Sequence, residues 1–396
     1  MPINRLKVEG FKSLKDVLWE PGQLTILIGP NGSGKTNLLY SIQLLQFAAF
    51  GNISNFITAR GGLSSLFWDG EANKVALHIS FTVPMDKIIS FHNIVDYSIE
   101  ITGFLGQGSY NITKEHLAIS NRDDNTMTTM IHRDMNSGTA LDNESDKIDY
   151  TTDNKTFNKE ESILSRFQGA YNLSSINASI HFNVIFFNIY KDLITTSNAE
   201  IRRPVTARYE KFLAPNGQNL VNVLHTLYSE NRDFENDINT AMRAAFGDDF
   251  DRLVFPPAAD QLVQLRIRWK SLKREQSMLD LSDGTIRFLF LMTVLCNPEP
   301  PSLIAIDEPE TGLHPSMFPI IAEYAAEASK RTQVVFSTHS PQFLDAFSDF
   351  NPTTTVTTWQ DGETKIKNLD GEALKEWLKH YSLGTLFLSG DLEAMA

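Results

Sequence analysis

The chain of 396 residues is 42% hydrophobic and 21% charged, with 22 Gly, 16 Pro and a single cysteine, Cys296. That balance excludes a wholly disordered, collagen-like or coiled-coil protein and an internal disulfide, and it predicts two or three domain-sized units with a full apolar core in a reducing, cytoplasmic setting. Thirty-five basic side chains against 48 acidic ones leave a formal charge of −13, which disfavours nonspecific nucleic-acid binding by the chain as a whole while leaving room for a local basic patch.

The opening Met-Pro-Ile-Asn-Arg-Leu-Lys lacks the apolar core of a signal peptide. The longest apolar run, near Phe288–Cys296, is about half of a membrane span, so no membrane partner is expected. In chain order, Ile3–Glu9 and Leu24–Ile28 read as strands, punctuated by Gly10 and the Pro21-Gly22 pair. From Thr36 to Phe50 the spacing of Leu38, Leu39, Ile42, Leu45 and Phe47 predicts a helix. Between Val75 and Ile119, alternating stretches such as Val75–Phe81 and Tyr97–Ile101 predict antiparallel strands. Asn121–Glu161 is acidic and poor in aliphatic residues, and reads as long loops or an edge hairpin, mobile in part.

A buried strand is expected over Ile180–Tyr190, and a helical stretch over Gly217–Phe246 on the spacing of Leu220, Val223, Leu224 and Leu227. Leu262–Trp269 alternates like an edge strand with Arg266 and Arg268 outward. The last third alternates apolar strands with helices: Leu303–Ile306, a helix over Ser316–Lys330, Val334–Phe336, then a helix that Ser340 caps and Pro341 opens. That alternation indicates a parallel sheet covered on both faces. No internal repeat or extended heptad run is evident.

Gly29-Pro30-Asn31-Gly32-Ser33-Gly34-Lys35-Thr36 satisfies G-x-x-x-x-G-K-[ST] at every fixed position, between a strand and a helix. In that pattern the glycines let backbone N–H groups converge on phosphate oxygens, Lys35 reaches the outer phosphates, and Thr36 offers its hydroxyl to magnesium. Leu303–Ile306 then delivers two carboxylates at a strand end. Downstream of such a loop, Asp307 falls near the magnesium shell and Glu308 where an attacking water would sit; an acidic turn after a core strand is the plainer alternative. Leu281-Ser282-Asp283-Gly284, 25 residues before Asp307, runs into an apolar helix. A serine and a glycine at a helix N-terminus suit a phosphate, and Ser282 or Asp283 would serve equally as an ordinary cap. His339 follows the strand Val334–Phe336, where a histidine is more commonly structural. The remaining histidines show no metal-ligand spacing, and no HExxH, CxxC or nucleophile-elbow pattern occurs.

Taken together and in this order, these residues resemble the ATPase heads of the ABC/SMC/RecF class. The glycine loop corresponds to Walker A and Asp307-Glu308 to Walker B. Leu281–Gly284 is similar to the ABC signature, with Asp283 in place of the more usual glycine. Pro309–Pro315 resembles the D-loop in its OLD-like form, His339 the switch histidine, and Leu6–Leu14 the opening of that branch. The motifs lie within residues 1–70 and 265–345.

The resemblance implies an α/β P-loop NTPase fold: an ABC-type ATPase head, discontinuous over 1–70 and 265–396, with a mixed or parallel core sheet and an antiparallel β subdomain. Residues 71–264 would form an inserted β-rich and helical region that binds partners. ATP and Mg2+ are the implied cofactors. Asn31, Gly32, Ser33, Gly34, Lys35, Thr36, Ser282 and Gly284 are the implied nucleotide contacts, Thr36 and Asp307 the metal-facing residues, and Lys35, Glu308 and His339 the catalytic ones. In this class two heads sandwich two ATP molecules, the signature of one meeting the γ-phosphate held by the other. The glutamine-bearing loop has several candidates; Phe11 and Lys12 are plausible neighbours of the adenine.

Spacing narrows the class. Thr36 to Ser282 spans 246 residues, longer than a transporter subunit needs and without the heptads of SMC proteins. The 57 residues after His339 are too few for the TOPRIM domain of OLD-type proteins. The expected function is a compact OLD-like ATPase whose homodimerisation regulates a separately encoded effector, a nuclease or toxin, as in anti-phage systems of the Septu or PARIS type. A RecF-like repair ATPase acting on DNA, and an ATP-binding scaffold with little turnover, are the alternatives.

Overall fold

A computed structural model describes residues 2–70, 72–83, 93–104, 106, 108–121, 126–141, 147–151, 158–167, 184, 187–191, 193–258, 261–369, 377 and 381–395. Apolar alternation builds the first strands: β1 (Ile3–Phe11) buries Ile3, Leu6, Val8 and Phe11, and β2 (Leu14–Trp19) returns antiparallel to it. β3 (Leu24–Ile28) is buried at every position, as a strand with a layer on each face must be. After α1 (Lys35–Ala49) and α2 (Ile53–Thr58) come six strands. They are β4 (Lys74–Val83), β5 (Asn93–Phe104), β6 (Ser109–Asn121), β7 (Met127–Asp134), β8 (Ser137–Leu141) and β9 (Lys147–Thr151), in an antiparallel sheet ordered β2-β1-β4-β5-β6-β7-β8-β9.

The acidic stretch Asn121–Glu161, expected as long loops or an edge hairpin, carries the strands β7 to β9, with β8 and β9 an antiparallel pair at the edge of the sheet. Its inward positions are partly polar, which hides the pleat from any reading of apolar residues. Arg133 on β7 and Glu115 on β6 are both buried, 4.0 Å apart. Glu115 accepts from Tyr97 Oη, Ser162 Oγ and the amides of Ile163 and Leu164, while Arg133 donates to the carbonyls of Asn158, Lys159 and Glu161. Buried charges persist only when so partnered, and here they pin residues 158–164 beneath the sheet. Residues 122–125, 142–146 and 152–157 of the stretch lie outside the described residues.

β10 (Phe187–Tyr190) is the end of the strand expected over Ile180–Tyr190, of which residues 180–183 and 185–186 lie outside the described residues. β11 (Val205–Thr206) follows. The helical stretch splits into α3 (Leu220–Glu230) and α4 (Arg232–Phe246) because Asn231 is extended and its side chain accepts from Phe234 N at 2.9 Å, capping the second helix. β12 (Phe250–Val254), β13 (Leu262–Val263), β14 (Arg266–Trp269) and β15 (Gln276–Ser277) complete two small sheets. The single edge strand expected over Leu262–Trp269 is thus two strands: β13 pairs β11, and β14 lies between β12 and β15. Alternation fixes which face is buried, not whether both edges are paired.

α5 (Asp283–Leu295), β16 (Leu303–Asp307), α6 (Phe318–Ala328) after a 3-10 turn at Pro315–Met317, β17 (Gln333–Thr338) and α7 (Pro341–Asp345) follow the expected alternation. Ser340 accepts from Phe343 N at 3.2 Å and Pro341 sits at the first helical position. β18 (Thr353–Gln360) and β19 (Glu363–Asn368) form a hairpin, and α8 (Leu383–Leu388) and α9 (Asp391–Met395) end the chain. The core sheet is ordered β10-β16-β17-β3-β18-β19 and is parallel except at the β18–β19 hairpin, a mixed sheet.

Period-two alternation divides that sheet between two cores. Ile26, Ile28, Ile304, Ile306, Val334 and Phe336 join the cluster that includes α3 to α6. Leu27, Leu303, Ala305 and Val335 join the cluster shared by α1 and the antiparallel sheet. The lines drawn at 70/71 and 264/265 cross connected structure, since β1 pairs β4 and β10 pairs β16. Among the described residues, no helix is long and apolar enough to cross a membrane.

Candidate active site

The parallel core sheet brings the C-terminal ends of β3, β16 and β17 side by side, the place where α/β sheets open a crevice. From β3 the chain turns through Gly29 (φ 148°), Gly32 (φ 81°) and Gly34 (φ 105°) into α1. Gly32 faces open space where a Cβ would stand, at the exposed rim beside Asn31. Lys35 is buried, and its Nζ donates to the carbonyls of Gly29 at 2.7 Å and Pro30 at 3.1 Å. Burial pushes its ammonium below the ordinary lysine value, and the carboxylates of Asp307, Glu308 and Glu310 act in the opposite direction.

Asp307 ends β16 in register with Ser337 on β17. Its Oδ2 accepts from Thr36 Oγ1 at 3.0 Å, and its Oδ1 accepts from Ser337 Oγ. Residues 271 positions apart are so joined by one hydrogen bond across the crevice. Glu308 next turns the chain with φ 50°, a left-handed conformation for a residue with a Cβ, and its amide donates to Ser337 O at 2.9 Å. Its Oε1 lies 3.2 Å from His339 Nδ1, with both side chains about half exposed.

Glu310 points inward instead. Its Oε1 accepts from Thr338 Oγ1 at 2.5 Å, and Oε2 is buried with no hydrogen-bond partner among the described residues. Burial raises its carboxyl above the ordinary range, opposed by the Thr338 bond.

Ser282 caps α5, accepting from Thr285 N at 3.1 Å. Gly284 approaches the loop after Glu310: a Cβ there would lie 2.9 Å from Gly312 O. The segment leading into α5 is braced by Arg202, which is buried and donates to Met278 O, Leu281 O and Asp283 Oδ1. Lys35, Thr36, Asp307, Glu308 and His339 are thus brought together. Among the described hydrogen bonds, those of Ser282 stay within its own turn and none reaches the glycine loop.

Two groups had not been singled out from the sequence. Lys191 follows β10 and so lies beside Asp307, since Tyr190 pairs Ile306; its Nζ donates to Tyr40 Oη at 2.7 Å. With Tyr40, Gln43, Arg60, Thr36 and Asp307 it lines a cavity of about 220 Å3. The second group is Ser13, Thr357 and Thr364 on the far side of the glycine loop: Thr357 bonds Ser33 of the loop, and Thr364 bonds Ser13, which accepts from Asn37 on α1. Asp361-Gly362, with φ 50° and 80°, is the sequence signal for the hairpin carrying those threonines.

The AAA_21 family model, described as "AAA domain, putative AbiEii toxin, Type IV TA system", matches residues 24–125 and 166–345. The chain is similar to the OLD nuclease of Thermus scotoductus (strain ATCC 700910 / SA-01), 22% identical over 360 residues, 87% of this chain and 60% of that protein. The chain therefore spans about 60% of the length of that relative. It is also similar to the DNA replication and repair protein RecF of Prosthecochloris aestuarii (strain DSM 271 / SK 413), 28% identical over 100 residues, 24% of this chain and 27% of that one.

Among solved structures, the SMC head bound to the C-winged helix domain of ScpA matches with a TM-score of 0.58 at 14% identity, covering 95% of this chain and 100% of that chain. The Smc head domain with an extended coiled coil from Pyrococcus furiosus, bound to the C-terminal domain of ScpA, gives 0.56 at 12% identity, covering 95% and 98%. The fold is that of an ABC-type ATPase head. With the family model matching most of its length, the chain belongs to the AAA_21 family and is an OLD-like P-loop ATPase of the ABC/SMC/RecF class.

Proposed function

We propose that the chain binds ATP with magnesium, hydrolyses it in the crevice at the ends of β3, β16 and β17, and uses the nucleotide to close a homodimer that controls a separately encoded effector in bacterial anti-phage defence. The observation that carries the chemical part is the Thr36–Asp307–Ser337 cluster with the Glu308–His339 pair beside it.

The residues present fit a magnesium nucleotide. The open rim at Gly32, the amides at the N-terminus of the fifteen-residue α1, and a lysine held by two carbonyls form a cradle for an anion. The Thr36 hydroxyl and the Asp307 carboxylate are the hard oxygen donors that magnesium prefers while keeping several waters. When bound, magnesium supplies charge neutralisation at the outer phosphates.

Asn31, Gly32, Ser33 and Gly34 offer the loop's amides, and Lys35 exchanges its two carbonyl partners for phosphate oxygens. Thr36 and Asp307 would hold the metal, and Ser337 bonds Asp307 in place through Oδ1. Glu308 accepts the proton of the attacking water at its carboxylate, and His339 holds that carboxylate in place through Nδ1. Ser282 and Gly284, at the N-terminus of α5, present the signature surface to a second subunit.

Similarity to the OLD nuclease over 87% of this chain supports the defence reading, and the toxin–antitoxin description of the family supports a partner. The region 71–264, apart from β10, carries partner recognition in this reading, and the protein works in the cytoplasm. The RecF similarity favours a second reading, in which the ATPase acts on DNA directly. ATP turnover measured with and without DNA, beside ATP-dependent oligomer size, tests the proposal. Turnover with nucleotide-driven dimerisation and no DNA dependence is expected. DNA-dependent turnover favours the RecF-like reading, and dimerisation with no turnover leaves an ATP-binding scaffold.

A further inference from the structure

The glycine loop is held from within mainly by Lys35, whose Nζ donates to Gly29 O and Pro30 O, and by little backbone hydrogen bonding. Three of its residues have positive φ, and within it the one backbone hydrogen bond among those described runs from Ser33 N to Pro30 O at 3.2 Å. A second element supplies the rest. The β18–β19 hairpin lies beyond the residues that the family model matches, and β18 pairs parallel with β3 from Thr25 to Ile28, ending at the loop. At that end the fully buried Thr357 makes two hydroxyl contacts: Oγ1 donates to Ile28 O at 3.0 Å and meets Ser33 Oγ at 2.5 Å.

The same hairpin shapes both flanks of the loop. A Cβ on Gly29 would stand 2.2 Å from Thr357 O and 2.4 Å from Thr357 Oγ1; on Gly34 it would stand 2.1 Å from Thr364 Oγ1. Thr364 is also fully buried. Its hydroxyl donates to Ser13 Oγ at 2.7 Å, its amide donates to Ser13 O at 2.8 Å, and Ser13 Oγ accepts from Asn37 Nδ2 at 2.8 Å on the first turn of α1. The glycines at positions 29 and 34 are therefore set by close approach of this hairpin as well as by backbone conformation.

We infer that Thr357 and Thr364 are positioning residues for the nucleotide: the hairpin holds the glycine loop in its phosphate-accepting shape before ligand arrives. Neither hydroxyl touches phosphate in this account. Thr357 acts on Ser33 of the loop, and Thr364 acts on its flank, by close approach at Gly34 and through Ser13 on Asn37 of α1. A loop released from the brace must be ordered at the moment of binding, and that ordering is subtracted from affinity. The signature of the role is a loss of ground-state binding larger than the loss of kcat.

The inference rests on the nucleotide reading, so the experiment separates the two. ATP binding and steady-state turnover are measured with magnesium for wild type, Thr357→Val, Thr357→Ser and Thr364→Val, with melting temperatures recorded with and without ATP. Valine keeps the volume but removes the hydroxyl, and one lost hydrogen bond corresponds to about a fivefold loss of affinity.

The expected result is a KM and Kd for ATP raised about fivefold or more in Thr357→Val, a smaller change in kcat, a reduced ATP-induced rise in melting temperature, and recovery in Thr357→Ser. If Thr357→Val does not fold, Thr364→Val carries the same expectation. A folded valine variant with a lower melting temperature but unchanged KM and Kd overturns the inference and leaves the threonines as ordinary core residues. Wild-type protein that binds no ATP overturns instead the reading on which it rests.

Discussion

Glu308 has φ 50°, so its Cβ crowds the backbone in a region that glycine enters freely. The left-handed conformation costs about 1–2 kcal/mol for a residue with a Cβ. Glycine there removes that cost but loses about 0.4–1 kcal/mol through the greater freedom of the unfolded chain. The contact with His339 is half exposed and is worth at most about 1 kcal/mol. Comparing Glu308→Gly with Glu308→Ala removes the carboxylate from both and isolates the backbone. The glycine variant should be the more stable by about 0.5–1 kcal/mol, a difference of about 1 °C in melting temperature for a chain of this length.

Both variants should lose turnover by about a hundredfold or more, as expected when a general base is removed, while ATP binding persists. Glu308→Gln should lose turnover similarly without the change in stability. Differential scanning fluorimetry and phosphate release on the same preparations read both effects. Retained turnover in Glu308→Gly would refute the catalytic role, and a glycine variant melting below the alanine variant would refute the strain argument.

Burial raises the carboxyl of Glu310, so the folded state binds its proton more tightly than the unfolded chain does; this contribution is fully present below the unfolded carboxylate pKa and is lost as pH rises through the folded value. Glu310→Gln should therefore melt relatively higher at pH 7 than at pH 4, each compared with wild type, and a variant-minus-wild-type difference in melting temperature that falls with rising pH would contradict this. Ser282→Arg should leave ATP binding to the isolated subunit unchanged and block ATP-driven dimerisation; size-exclusion chromatography showing wild-type dimer, with wild-type turnover, would leave Ser282 as a helix cap only. Met127, Met135 and Ile148 are exposed at the outer end of the antiparallel sheet. Changing all three to Asp should preserve basal turnover within about twofold, since such surface changes cost little, and reduce effector control; lost turnover in the folded variant would place this edge with the chemistry instead.

Much of the core was legible in the sequence because it is local. Leu303–Ile306 and Val334–Phe336 are apolar runs bounded by helices, Leu24–Ile28 runs from a Pro-Gly turn to the glycine loop, and Ser340 with Pro341 marks a helix start in two residues. The meeting of Thr36 with Asp307 followed only from the motif resemblance, since 271 residues separate them. The choice between loops and an edge hairpin over Asn121–Glu161 stayed open because the inward positions include Arg133, whose partners are the backbone carbonyls of Asn158, Lys159 and Glu161.

Lys191 carries no motif, and its place beside Asp307 follows from strand order, which no local pattern encodes. The threonine brace escaped for a related reason. Thr357 and Thr364 carry no motif, and their place is set only when β18 is laid against β3; Arg202 likewise meets its partner Asp283 across 81 residues.

The most direct measurement is equilibrium binding of ATP, with magnesium, to purified wild type and to Lys35→Ala, each checked for folding by circular dichroism. Lys35 is the buried cation of the cradle, held by two carbonyls and facing three carboxylates across the crevice. The account predicts saturable binding by wild type and loss of tight binding, by at least about a hundredfold, in Lys35→Ala, because a desolvated charge–phosphate contact is worth several kcal/mol. Equal ATP affinity in the two folded proteins would contradict it.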